Sequence, residues 1–423
     1  MADGAGKNKV VKIEKVFARE IIDSRGNPTV EAEVKTASSF ARAIAPSGAS
    51  TGKREACELR DGGKRFMGKG VLTAVGNVNK IIAPALNGMD VFAQDKIDSK
   101  MKSLDNTENK SRLGANAIVA VSMATVKAAA YANHQQVYEH LGGKLLPLPM
   151  FNIINGGKHA GNALSIQEFM VIPKSAKTFR EGLRAICEVY HTLGKSLAKK
   201  YGPTAKNVGD EGGFAPNFSS SHAALDEIVL AIEEAGYGGQ IGIAFDAAAS
   251  SFYDEATGKY FMDGKGITSG ELLDYYVDLQ RKYGILSMED PFQEEDFESF
   301  AALTKKIGSK VQVVGDDLLV TNPKLLAVAI EKKAVNSLLL KLNQIGTVSE
   351  SMEVARMCKK NSIKIVVSHR SGESEDSFIA DFAVGIEAGQ IKTGAPARGE
   401  RTAKYNQLLR IEEDAKVKMA RIF

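Results

Sequence analysis

Three acids in this chain each close a short apolar run: IGIAF runs into Asp246, ILSM into Glu289 and VQVVG into Asp316. If those runs are neighbouring parallel strands, the three carboxylates converge, and their repulsion calls for a cation. Ligation by oxygen alone favours Mg²⁺ over softer metals. Any one of these acids could simply cap the helix that follows it, but capping does not require the pattern to repeat. The next run, SLLL, ends in Lys341, inside NSLLLKLNQIG. Burying an unpaired ammonium is costly. Beside a cation, however, desolvation and positive neighbours lower a lysine's pKa until the neutral amine can act as a general base.

Two further runs end in donors suited to an anion. VVSHRSGESED places His369, Arg370 and Ser371 side by side, and GQIKTGAP adds Lys392. The arginine fork suits phosphate or carboxylate, the hydroxyl adds a hydrogen bond and the lysine adds charge. A hard cation, a lysine base and an anion cradle together suggest abstraction of a proton beside a carboxylate, with the metal holding the resulting enolate.

Such convergence needs a scaffold that presents many strand ends on one face. The special residues Asp246, Glu289, Asp316, Lys341, His369 and Lys392 follow one another at intervals of 43, 27, 25, 28 and 23 residues. Most of these intervals hold one strand, one helix and their connections. In TSGELLDYYVDLQRKYG, Thr268 and Glu271 have capping-box spacing, with Leu272, Tyr275, Tyr276 and Leu279 on one face. In NPKLLAVAIEKK, Asn322 can cap and Pro323 suits the first turn. QEFMVIP with Glu168 and KNVGDEGG with Glu211 fit as looser, earlier units. About eight parallel strands result, enough to close a barrel with its special residues at the strands' C-terminal ends. An open doubly wound sheet is the rival, but no GxGxxG follows a first strand.

Upstream, segments 10–22, 29–36 and 40–46 alternate as antiparallel strands around the turn-rich DSRGNP, and alanine-rich 111–132 predicts a largely buried helix. LGGKLLPLP then punctuates the chain. These features predict an α/β protein with a smaller N-terminal α+β domain over residues 1–142 and a barrel over 143–423. In the first domain, APSGASTGKREA comes close to a phosphate loop but is one residue short of the required spacing, so a flexible Gly/Ser lid is the better reading; Ser50 then either reaches a second metal or a phosphate on closure or sits in a plain surface turn, and the residues alone leave both open. His159, alone in NGGKHAGN, reads more readily as structural than catalytic.

With 55 basic and 51 acidic residues, net charge +4, and 44% hydrophobic residues, the composition is that of an ordinary globular chain and argues against nucleic acid or an anionic membrane as a partner. Cys57, Cys187 and Cys358 show no CxxC spacing, no signal-like apolar core opens the chain, and nowhere do 18 apolar residues run uninterrupted. A cytoplasmic protein is expected.

The motifs DSRGNPTVE, PSGASTG, GGKHAGN, QEFM, GDEGGFAPN, FDAAAS, EDPF, GDDL, LLLKLNQIGT, SHRSGESED and GQIKTGAP, in that order and spanning nearly the whole chain, make it resemble the enolase family. The resemblance implies a capping domain on a (β/α)8-type barrel whose first units depart from the regular pattern. It implies a glycolytic and gluconeogenic lyase that reversibly dehydrates 2-phospho-D-glycerate to phosphoenolpyruvate, with two Mg²⁺ per site. By the same resemblance Asp246, Glu289 and Asp316 hold the metal, and Ser50 joins a second one when the lid closes. Lys341 becomes the base and Glu211 the general acid with Glu168 beside it, while His159, Glu168, His369, Arg370, Ser371 and Lys392 bind substrate. Family members dimerise through the first domain, which would set Arg19 against Glu413 and Glu31 against Arg410. Arg54, Ser251 and Gly399 depart from common family residues, but none is a metal, base or acid position.

Overall fold

The structure is a computed structural model and describes residues 10–49, 52–415 and 417–423, so the lid residue Ser50 lies outside the described residues. The chain forms two compact units. One takes the described residues up to Ser47 with Ala56–Gly142 and Leu342–Ser351; the other takes those of Gly48–Glu55 with Gly143–Lys341 and Met352–Phe423.

In the first unit, alternation along the strands produces an antiparallel sheet of Ile13–Ile22, Pro28–Thr36 and Phe40–Ile44. Val30, Ala32 and Val34 point inward with no exposed surface, and the sheet packs on the helix Ala115–Ala132. That helix is long and apolar enough to cross a membrane, yet 89% of it is buried inside the protein, as suits a core helix. It begins four residues later than the alanine-rich segment predicts, because Gly114 has φ +97°, which is incompatible with a right-handed helix. Arg19 pairs within its own chain with Glu31 and Glu33.

The second unit is built on a closed eight-stranded barrel of Leu148–Asn155, Glu168–Ile172, Gly242–Asp246, Ser287–Glu289, Gln312–Gly315, Ser337–Leu340, Lys364–Ser368 and Gly389–Lys392. Every residue of the first two strands is buried, since helices and side chains cover both faces. The prediction of a wholly parallel sheet needs one correction. Glu168–Ile172 runs antiparallel to both neighbours, Leu148–Asn155 and Gly242–Asp246, whereas the other adjacent pairs are parallel. Reversal puts the first residue of that strand, Glu168, level with Asp246 and Asn155 on the C-terminal face. Glu211 is likewise not at a strand end. It lies in the turn between the helices Phe179–Tyr201 and Ser221–Glu234, tied to the barrel by the bridge Ile154–Phe214.

The helices between strands begin where their caps predict. In Ser269–Tyr283, Glu271 N donates to Thr268 Oγ1 at 3.3 Å and Thr268 N donates to Glu271 Oε2 at 2.8 Å. Gly284 ends it at φ +64°. In Pro323–Lys332, Lys324 N donates to Asn322 Oδ1 at 2.9 Å. Thr268→Ala removes one half of its capping box and is expected to lower stability by about 1 kcal/mol. A shifted urea midpoint at unchanged slope is the signature to look for.

Candidate active site

Most barrel strands deliver a residue at or just beyond their C-terminal ends to one pocket. Asp246, Asp316, Lys341, His369, Arg370, Ser371 and Lys392 line it, joined by His159, Glu168 and Glu211 from the irregular first units. Glu289 reaches the same group through Lys392, whose ammonium lies 2.9 Å from both Glu289 oxygens. His159, read from sequence more readily as structural, therefore faces the pocket.

The lysines occupy the centre of the acidic cluster. Lys392 Nζ also donates to Asp246 Oδ2 at 3.0 Å and lies 3.2 Å from Glu168 Oε2, so here it bridges carboxylates instead of standing with the anion donors. Lys341 Nζ donates to Asp316 Oδ2. Burial by itself would push the Lys341 ammonium down, but contact with Asp316 holds it above the ordinary lysine value, opposite to the lowering expected from sequence. Asp316 in turn is pressed upward by burial and held below the usual carboxylate range by Lys341.

Carboxyl groups outnumber the cations around them. Among the described residues, Glu168, Glu211, Asp246, Glu289, Asp290, Asp316 and Asp317 are met by Lys341, Lys392, Arg370 and Arg401 as permanent side-chain cations. Burial and Asp246 push Glu289 well above its ordinary value, and burial with Asp316 pushes Asp317 up to about 8. Buried carboxylates that resist ionisation, in a donor set made of oxygen, fit a hard divalent cation. Among the described residues, the sets whose ligand atoms all lie within 4.8 Å of one another are His159, Glu168 and Glu211, and Asp290, Asp316 and Asp317. Asp246, Glu289 and Asp316 share the face without forming such a set, since Lys392 holds the first two and Lys341 the third.

The two glutamates of the irregular units are pushed in opposite directions. Burial and the neighbouring Glu211 push Glu168 well above the carboxylate range. Glu211 is opposed by burial, yet His369, His159 and Arg401 hold it well below. The surroundings thus favour the protonated form of Glu168 and the carboxylate form of Glu211. Asn152 Nδ2 donates to Glu211 Oε2 at 3.1 Å, with His159 Nδ1 3.6 Å from Oε1 and His369 Nε2 3.5 Å from Oε2.

On the anion side, Arg370 makes a fork to Glu55, with Nη1 to Oε2 at 2.7 Å and Nη2 to Oε1 at 3.1 Å. Ala49 N donates to Ser371 Oγ at 2.6 Å, and Gly52 N donates to Glu55 Oε1 at 3.0 Å. Residues flanking the Gly/Ser segment therefore engage the anion donors themselves. Sequence reasoning passed over Glu55, Arg401, Asp290 and Asp317. Glu55 and Arg401 give no periodic signal. The Asp290 carboxylate accepts from the backbone of Asp316 and Asp317 at 2.8 and 2.7 Å, a role that the paired motifs EDPF and GDDL could have suggested.

Comparison with known proteins bears on this arrangement. Residues 13–141 match the family model described as enolase, N-terminal domain, and residues 143–420 the one described as enolase, C-terminal TIM barrel domain. The chain is 59% identical to an enolase of Thermococcus gammatolerans, with 95% of each chain covered. It is 58% identical to one from Pyrococcus furiosus over 94% of each chain, and 57% identical to one from Methanosarcina barkeri over 95% of each.

Proposed function

The chain belongs to the enolase family of carbon–oxygen lyases and carries out its glycolytic reaction, reversible dehydration of 2-phospho-D-glycerate to phosphoenolpyruvate; from that premise we propose how its residues divide the work. Lys341 Nζ, as the neutral amine, takes the proton from carbon 2. Glu211 first accepts the proton that the surroundings favour on Glu168, then passes it to the hydroxyl of carbon 3, which leaves as water. Arg370 and Ser371 hold the phosphate, which would take over the guanidinium bonds now made by Glu55. His159, Glu168, His369 and Lys392 complete substrate binding.

Asp246, Glu289 and Asp316 would hold Mg²⁺, and Ser50 is assigned to a second Mg²⁺. When bound, the metal supplies positive charge against the negative charge that develops on the substrate carboxylate. Lys341 and Lys392 now neutralise those same carboxylates, so drawing Asp316 away from Lys341 weakens what keeps its ammonium protonated. We further place the division into domains at 1–142 and 143–423, with a lid near residue 50, and infer a cytoplasmic homodimer that associates through the first domain.

The observation that carries this reading is the meeting of a buried acid cluster, a lysine and an arginine–serine anion cradle in one pocket. Ultraviolet absorbance of the enol phosphate tests it directly. Absorbance should grow from 2-phosphoglycerate with Mg²⁺ and stop on adding excess chelator. A flat trace from folded protein with metal present would instead direct the search to unphosphorylated carboxylic acids.

A further inference from the structure

Arg401 is completely buried, belongs to no strand end of the barrel and takes no part in the reaction as assigned above. Its guanidinium nevertheless spends its hydrogen bonds on the active-site segments. Nη1 donates to the Arg370 carbonyl at 2.6 Å; Nη2 donates to the Ser371 carbonyl at 2.6 Å and the Asp210 carbonyl at 3.0 Å. One planar group therefore ties the segment carrying His369, Arg370 and Ser371 to the turn carrying Glu211. Gly394 leaves the space for it, since a Cβ there would stand 2.8 Å from Arg401 Cδ.

The remaining contact has a chemical consequence. Arg401 Nη1 lies 2.6 Å from His369 Nδ1. A guanidinium has only donors and stays protonated, so Nδ1 must offer its lone pair and the ring proton must sit on Nε2. Nε2 has no hydrogen-bond partner among the described residues and stands 3.5 Å from Glu211 Oε2. We propose that Arg401 is the positioning residue that fixes His369 as the Nε2–H tautomer and aims that proton at the site where Glu211 and the substrate's leaving hydroxyl meet. Burial, reinforced by Arg401 against the pull of Glu211, keeps the imidazole neutral, so the ring is a single-proton donor and not a second acid. A lysine could supply the charge but not the fork that reaches the ring and three carbonyls at once.

This inference rests on the roles assigned to His369 and Glu211, so its test includes a readout that needs no turnover. Full-length protein labelled with ¹⁵N-histidine is recorded at neutral pH in long-range ¹H–¹⁵N spectra, with His369 assigned by His369→Asn. Nδ1 should resonate as an unprotonated nitrogen and Nε2 as a protonated one. A proton on Nδ1, or on both nitrogens, overturns the proposal whether or not any variant folds. In Arg401→Met the tautomers should mix and kcat fall about 10- to 100-fold, the range for lost support of a functional ligand. Arg401→Lys should recover part of both. A folded Arg401→Met that keeps the Nε2–H tautomer, or keeps kcat within about twofold, also overturns it. Should the wild-type protein show the Nε2–H tautomer yet not turn over 2-phosphoglycerate, the reaction assignment fails and the tautomer assignment stands.

Discussion

Lys341→Ala is expected to lower turnover of 2-phosphoglycerate by about 10² to 10⁴, the contribution of a well-placed general base, while leaving the barrel folded. The loss should fall on kcat, because removing the amine deletes a step in the transition state and spares the phosphate contacts of Arg370 and Ser371. Exchange of the carbon-2 proton with solvent should disappear together with turnover. Lys341 now balances Asp316 in a buried site, so its removal also takes the ammonium from a buried carboxylate, a destabilising change that the nearby Arg370 and Lys392 offset in part. Mg²⁺ should restore that stability, since it competes for the same charge, and thermal unfolding with and without metal separates the two effects. Activity within a few-fold of wild type would remove Lys341 from the role of base.

Glu211→Gln should cost a similar factor, about 10² to 10⁴, and for a different step. The amide matches the carboxylate in shape and can still meet Asn152, but it can neither hold nor release the proton that the hydroxyl needs. Carbon-2 proton exchange should therefore survive while formation of the enol phosphate fails, the reverse of a pure binding defect. The substitution is expected to be mild for folding, because it keeps the side chain's shape and removes one of two adjacent buried carboxyl groups that repel each other when ionised. Loss of exchange along with turnover would move the acid's function elsewhere, with Glu168 next in line.

Several elements were legible in the chain by itself because they depend on local chemistry. Strand-period alternation around DSRGNP yields the three-stranded sheet, and the Thr268–Glu271 box and Asn322 cap start the helices they should. Each depends on neighbours within a few residues, so no distant contact can overrule it cheaply. The series Asp246, Glu289, Asp316, Lys341, His369 and Lys392 was legible for a related reason. Parallel βα units place the residue after each strand on one face regardless of what covers the barrel.

What periodicity could not reveal is direction and pairing. Glu168–Ile172 reads as an apolar strand whichever way it runs, and its reversal, decided by packing between Leu148–Asn155 and Gly242–Asp246, is what brings Glu168 to the active face. Glu211 arrives on a turn with no strand to announce it, and Glu55 and Arg401 act through partners 315 and 32 residues away, respectively. Charge state is equally a property of the fold. Sequence alone predicts a lysine with lowered pKa near a cation, but in the folded pocket Asp316 supports the ammonium and Lys392 sits among three carboxylates. The chain by itself determined which residue types gather at the mouth of the barrel, because strand-and-helix spacing is written locally; the tertiary structure decided which of them touch, and hence where each proton rests, because Coulomb interactions depend on distances that only the closed barrel sets.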